Sequence, residues 1–101
     1  MGIMSSLFGA DRGSVREEAH RWVEQENATL LDVRTHEEFT SGHLRGASNI
    51  PVQELGRRIA EVPKNHPVVV YCRSGGRSAQ ATALLKAAGH RVLDLGPMSA
   101  W

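Results

Sequence analysis

One cysteine stands in a chain of 101 residues. No disulfide can close within the chain, and no multi-cysteine zinc site can be built. A lone thiol suits a reducing compartment, so the expected location is the cytoplasm. A surplus of one charge is also missing. Twelve Lys and Arg against eleven Asp and Glu leave a formal net charge of +1. That argues against a dedicated nucleic-acid binder and against a polybasic membrane anchor. Aromatic residues make up only 5%, too few for a base-stacking platform. The longest aliphatic and aromatic run is Val68-Val69-Val70-Tyr71-Cys72, far short of a bilayer span. Neither nucleic acid nor membrane is an expected partner.

What is present reads as one ordinary globular domain. Apolar residues reach 41% and charged residues 23%, which argues against intrinsic disorder. Residues 1–13 lack the basic start and apolar core of a secretory signal and read as a flexible leader. Gly2 and Ser6 match a lipidation pattern there, a match short enough to arise by chance. The folded domain is expected over residues 14–101.

Within it, helix and strand signals alternate. Ser14 and Glu17 have capping-box spacing, and Val15, Ala19, Trp22 and Val23 form a helical stripe reaching to Glu26. Thr29 to Val33 reads as a buried strand. Thr35 and Glu38 predict a second capping box and a short helix ending near Gly42. Ala47 to Ile50 is a weak strand. Val52, Leu55, Ile59 and Val62 predict one helix, stopped by Pro63. Pro67 to Tyr71 carries the strongest strand signal. A helix from Arg77 to Ala88 follows, with Ala79, Ala83, Leu84, Ala87 and Ala88 as its apolar stripe and Gly89 ending it. Arg91 to Leu95 reads as the last strand. The economical architecture is α/β, a largely parallel sheet with helices on both faces.

Ligands in such folds sit beyond the carboxyl ends of strands. The cysteine lies there, in Tyr71-Cys72-Arg73-Ser74-Gly75-Gly76-Arg77-Ser78. Two glycines let the backbone curl with its N–H groups inward, a nest for an anion. A helix amino terminus adds its dipole. Arg73 and Arg77 flank the turn. Each effect favours thiolate over thiol. Such surroundings lower a cysteine from ~8.5 to about 3.5–7.5, so Cys72 is expected to be a nucleophile. The turn holds no carboxylate for general-acid work, which suits an anionic substrate with a good leaving group. Asp32 and Arg34 should share the same sheet edge, paired with each other or Arg34 with Glu38. His43 is expected to bond a backbone carbonyl, and Arg57 and Arg58 to form a solvated face.

Cys72 to Ser78 resembles the active-site loop of single-domain rhodaneses. Leu31-Asp32-Val33-Arg34, Glu38-Phe39, Gly42-His43-Leu44, Gly46-Ala47 and Asn49-Ile50-Pro51 are similar to that family's amino-terminal signature. Val92 to Gly96, ending Ala100-Trp101, is similar to its carboxyl-terminal one. The resemblance implies a rhodanese-like sheet of about five parallel strands with helices on both faces. It implies a thiosulfate:cyanide-type sulfurtransferase with no metal and no organic cofactor. Cys72 would take a sulfane sulfur from thiosulfate or a persulfide, hold it as a persulfide, and pass it to cyanide, a thiol or a protein acceptor. Arg73, Ser74, Gly75, Gly76, Arg77 and Ser78 would form the substrate cradle. Related phosphatases carry a loop one residue longer than the Cys-x4-Arg spacing here, which ranks sulfur transfer higher. Two alternatives stay open: a persulfide carrier or sensor without turnover, and a phosphatase or arsenate-reductase relative. Gly96-Pro97 stands where a Gly-Gly pair is usual, the family's first short strand is not evident in Ala10 to Gly13, and the chain stops at Trp101. The last two departures predict a frayed sheet edge and a more open site.

Overall fold

A computed structural model describes residues 12–101. The leader, with Gly2 and Ser6, falls almost wholly outside them. Helix α1 spans Arg12–Gln25 and strand β1 spans Thr29–Asp32. Helix α2 (His36–Ser41), strand β2 (Ser48–Asn49) and the one-turn helix α3 (Val52–Leu55) follow. A 3₁₀ turn at Ile59–Glu61 leads to β3 (Val68–Cys72), α4 (Gly76–Ala87) and β4 (Val92–Pro97). A last 3₁₀ turn covers Met98–Ala100. The strands lie in the order β2-β1-β3-β4, every pair parallel.

Strand β3 is buried along its whole length, as a central strand of a sheet covered on both faces must be. Its alternation splits the core. Val68, Val70 and Cys72 pack with Leu31, Val33, Leu55 and Leu85 under α3 and α4. Val69 and Tyr71 pack with Ala19, Trp22 and Leu95 under α1. Cys72 therefore faces the α4 side, because two-residue periodicity leaves it no other choice.

Four expectations are corrected. Among the described residues the sheet has four strands rather than about five; Arg12 and Gly13 are already helical, so they supply no strand. For the same reason Ser14 lies inside the first turn of α1 instead of capping it. The segment from Val52 to Val62 is not one helix. It breaks after Leu55 into a turn and a 3₁₀ piece, although Val52, Leu55 and Val62 are buried as their spacing requires. Arg58 spans the break, bonded to Glu54 at 2.8 Å and to Glu61 at 2.9 Å. Finally, α4 buries Ser78, Ala81 and Leu85, while Ala79, Ala83, Leu84 and Ala87 are exposed. An alanine-rich helix has a weak stripe, and the face turned inward is the one that points Ser78 at the cysteine.

The edge strand β4 absorbs the Gly96-Pro97 departure. Its register against β3 slips at Leu95, so that Tyr71 pairs with Gly96 and Cys72 with Pro97. Gly96 takes a left-handed φ of 83° and donates its N–H to Asp94 at 2.9 Å. Proline lacks an N–H, and an edge strand tolerates that loss.

Candidate active site

Strand β3 ends in Cys72, and three loop residues later α4 begins. Gly75 caps that helix with φ 108°, a left-handed conformation that favours glycine. This bend turns the backbone amides back on the sulfur. The Gly75 N–H donates to Cys72 Sγ at 2.9 Å and the Ser78 N–H at 3.3 Å. The Ser78 hydroxyl donates to the Gly75 carbonyl at 3.0 Å and also lies within reach of the sulfur. Burial pushes the Cys72 thiol up. The Ser78 hydroxyl and the amides of Ser78, Gly75 and Ser74 pull it down harder, so the thiol lies below its ordinary value. The thiolate is favoured chiefly by neutral donors, which act at contact range on the sulfur itself.

The predicted site residues do not all point to one place. Cys72 and Ser78 are buried; Arg73, Ser74 and Gly76 are exposed; Gly75 and Arg77 are half-buried. Of the two glycines only Gly75 needs its freedom, since Gly76 has no positive φ and open space where a side chain would go. Cys72 is 0% exposed. The sulfur lies beneath the loop, against the amides of Gly75 and Ser78.

Arg77 is held by Glu38, whose oxygens accept at 2.6 and 3.1 Å. The same carboxylate completes the capping box of α2, accepting from the Thr35 N–H at 2.9 Å and its hydroxyl at 3.1 Å. The Arg77 guanidinium first, and then the Thr35 amide, hold the Glu38 carboxyl at about 2. This pairing was hidden in the sequence, where Glu38 offered itself as a partner for Arg34. Arg34 instead clamps Asp32 at 2.7 Å, and its guanidinium also reaches the Gly42 carbonyl at 2.7 Å. Both members of that pair are buried, and removing one strands the other at a cost of about 3–5 kcal/mol. Asn49 ties the loop after β1 by donating to the carbonyls of Asp32 and Arg34, each at 3.0 Å. His43 bonds the Phe39 carbonyl at 2.7 Å and stacks on its ring, the structural part expected of it.

Beside the loop lies a cleft of about 360 Å³, lined by Arg34, Glu38, Ser41, Gly42, Arg73 and Met98. Met98 was not foreseen as a wall of the site; it arrives because β4 ends next to Cys72. Among the described residues no cluster of His, Cys, Asp and Glu is arranged to hold a metal. No helix among them is long and apolar enough to cross a membrane.

The family model described as the rhodanese-like domain matches residues 15–101. A sulfurtransferase of Allochromatium vinosum is 41% identical over 85 residues, covering 82% of this chain and 79% of that protein. The thiosulfate sulfurtransferase PspE of Escherichia coli is 45% identical over 66 residues, 63% of this chain and 64% of that one. The solved structure of a rhodanese-like domain protein from Staphylococcus aureus superposes with a TM-score of 0.73 at 30% identity, with 86% of each chain covered. Other relatives are longer. The chain spans 42% of an HTH-type transcriptional regulator of Mycobacterium tuberculosis and 40% of a putative sulfur carrier protein of Bacillus subtilis.

Proposed function

The chain belongs to the rhodanese-like domain family, and on that premise we propose that Cys72 is the nucleophile and sulfur carrier of a sulfurtransferase. The observation that carries this reading is the sulfur at the end of β3, taking N–H donors from Gly75 and Ser78 at 2.9 and 3.3 Å. Amides aimed at a sulfur lower the energy of its anion before any substrate arrives. With thiosulfate, the Cys72 thiolate attacks the outer sulfur. The sulfur–sulfur bond of the donor breaks, sulfite leaves with the bonding pair, and a Cys72 persulfide anion remains. Cyanide or a thiolate then attacks the terminal sulfur, and Cys72 returns as thiolate. No proton has to move in either step, which agrees with a loop that holds no acid.

In this reading the amides of residues 73–78 cradle the transferred sulfur, and Ser78 turns its hydroxyl to whichever sulfur is charged. Arg73 is exposed and has no ion pair among the described residues, so it is the cation free to meet an anionic donor. The chemistry needs a reduced thiol, which suits the cytoplasm, and no metal or organic cofactor takes part. The four-residue span between Cys72 and Arg77, together with the engagement of Arg77 by Glu38, argues against a phosphatase. A second reading, a persulfide carrier serving a protein acceptor, is prompted by the 35% identity over 73 residues to a putative sulfur carrier protein of Bacillus subtilis.

Incubation with thiosulfate and cyanide, followed by thiocyanate formation and by intact mass, tests both. Thiocyanate turnover is expected, with one added sulfur on Cys72 when cyanide is left out. Loading without turnover would select the carrier. Absence of loading from every sulfane donor would remove the reading.

A further inference from the structure

Three guanidinium groups stand at the Cys72 edge, and two of them are already answered. Arg34 is paired with Asp32 at 2.7 Å and Arg77 with Glu38 at 2.6 Å. Arg73 alone of the three has no carboxylate partner among the described residues. Against the Cys72 thiolate, the edge is close to neutral. The flanking cleft is also far larger than a sulfite group and carries an acid, Glu38, and an apolar wall, Met98. Its volume is in the range of pockets that hold small organic molecules.

Resting on the sulfurtransferase reading, we propose that Glu38 is a positioning residue that selects the donor. By answering Arg77 it biases the site away from dianionic thiosulfate and toward a small organic persulfide, whose thiol portion occupies the cleft. The reactions differ in charge. Thiolate and thiosulfate together bring three negative charges to the encounter and release sulfite as a dianion. Thiolate and a protonated persulfide bring one. The thiolate attacks the outer sulfur of R–S–SH, the sulfur–sulfur bond breaks, and RS⁻ leaves while Cys72 keeps S–SH. Each unanswered negative charge near a part-buried site is costly, because screening and solvation are both reduced. An unpaired Arg77 would offset that cost for thiosulfate; a paired one does not.

The test is single-turnover sulfur loading of Cys72, followed by intact mass, with thiosulfate or cysteine persulfide as donor. Wild-type protein is expected to load faster from cysteine persulfide, with thiosulfate loading showing little dependence on salt. Glu38→Gln keeps the capping-box geometry and frees Arg77. It should raise the thiosulfate rate roughly tenfold, the low end of electrostatic steering, and change persulfide loading much less. That gain should fade as salt rises, and Glu38→Asp should restore the wild-type preference. Equal loading of wild type from both donors, or a Glu38→Gln effect shared by both and indifferent to salt, would overturn the proposal while leaving sulfur transfer intact. Loading from neither donor would overturn both.

Discussion

Two buried polar side chains sit at opposite ends of the strands, and they differ in what surrounds them. Cys72, at the carboxyl end of β3, is 0% exposed, yet its sulfur takes two amide N–H groups. His90, between the end of α4 and the start of β4, is 6% exposed, and neither ring nitrogen has a hydrogen-bond partner among the described residues. Burial alone penalises the charged form of each. At Cys72 the donors overturn that penalty and the anion wins. At His90 nothing does; burial, and then the nearby Lys64, push its proton off. Burial therefore does not mark the reactive group. The direction of the surrounding dipoles does.

The comparison breaks most completely if Cys72 is removed. Cys72→Ala should abolish sulfur loading, and a variant that still gained a sulfur by mass would remove the mechanism. Ser78→Ala probes the donors instead. The hydroxyl is the strongest of the donors that pull the thiol down, so losing it should raise the thiol and slow loading near neutral pH. A pH–rate profile displaced upward, with the plateau rate recovered at high pH, is the expected sign. A profile that stays in place would mean that the hydroxyl serves only the Gly75 carbonyl. The smallest effect belongs to His90. Its unfolded value is 6.5 and its folded value is lower, so the unfolded chain binds the extra proton first. Stability from this group is complete above that value and declines as pH falls below it. His90→Leu should flatten that acid decline in thermal melts, with loading unchanged at neutral pH. An identical decline in the variant would assign the acid sensitivity to another group.

The same contrast shows what could be read from the residue order. Cys72, the turn and the helix start were legible because they are contiguous, and local geometry follows from local sequence. Gly89 ends α4 with φ 93° for the same reason. The Thr35–Glu38 capping box was legible too, being three residues apart. Its second duty was not. Glu38 and Arg77 are 39 positions apart, and nothing in their spacing says that α2 and α4 meet. The buried face of α4 was misread because small residues on several sides leave periodicity without a clear winner. His90 carried no local signal, since a histidine reveals its surroundings only after the chain has packed.

Residue order by itself determined the alternating elements, the parallel sheet and a cysteine at the end of a buried strand before a glycine turn. These follow from side-chain period and backbone freedom, which act over a few residues. Tertiary structure alone decided which arginine is answered by which acid, that the sulfur lies beneath its loop, and that Met98 walls the cleft. Charge pairing and burial depend on distances between segments remote in the chain, and only packing sets those.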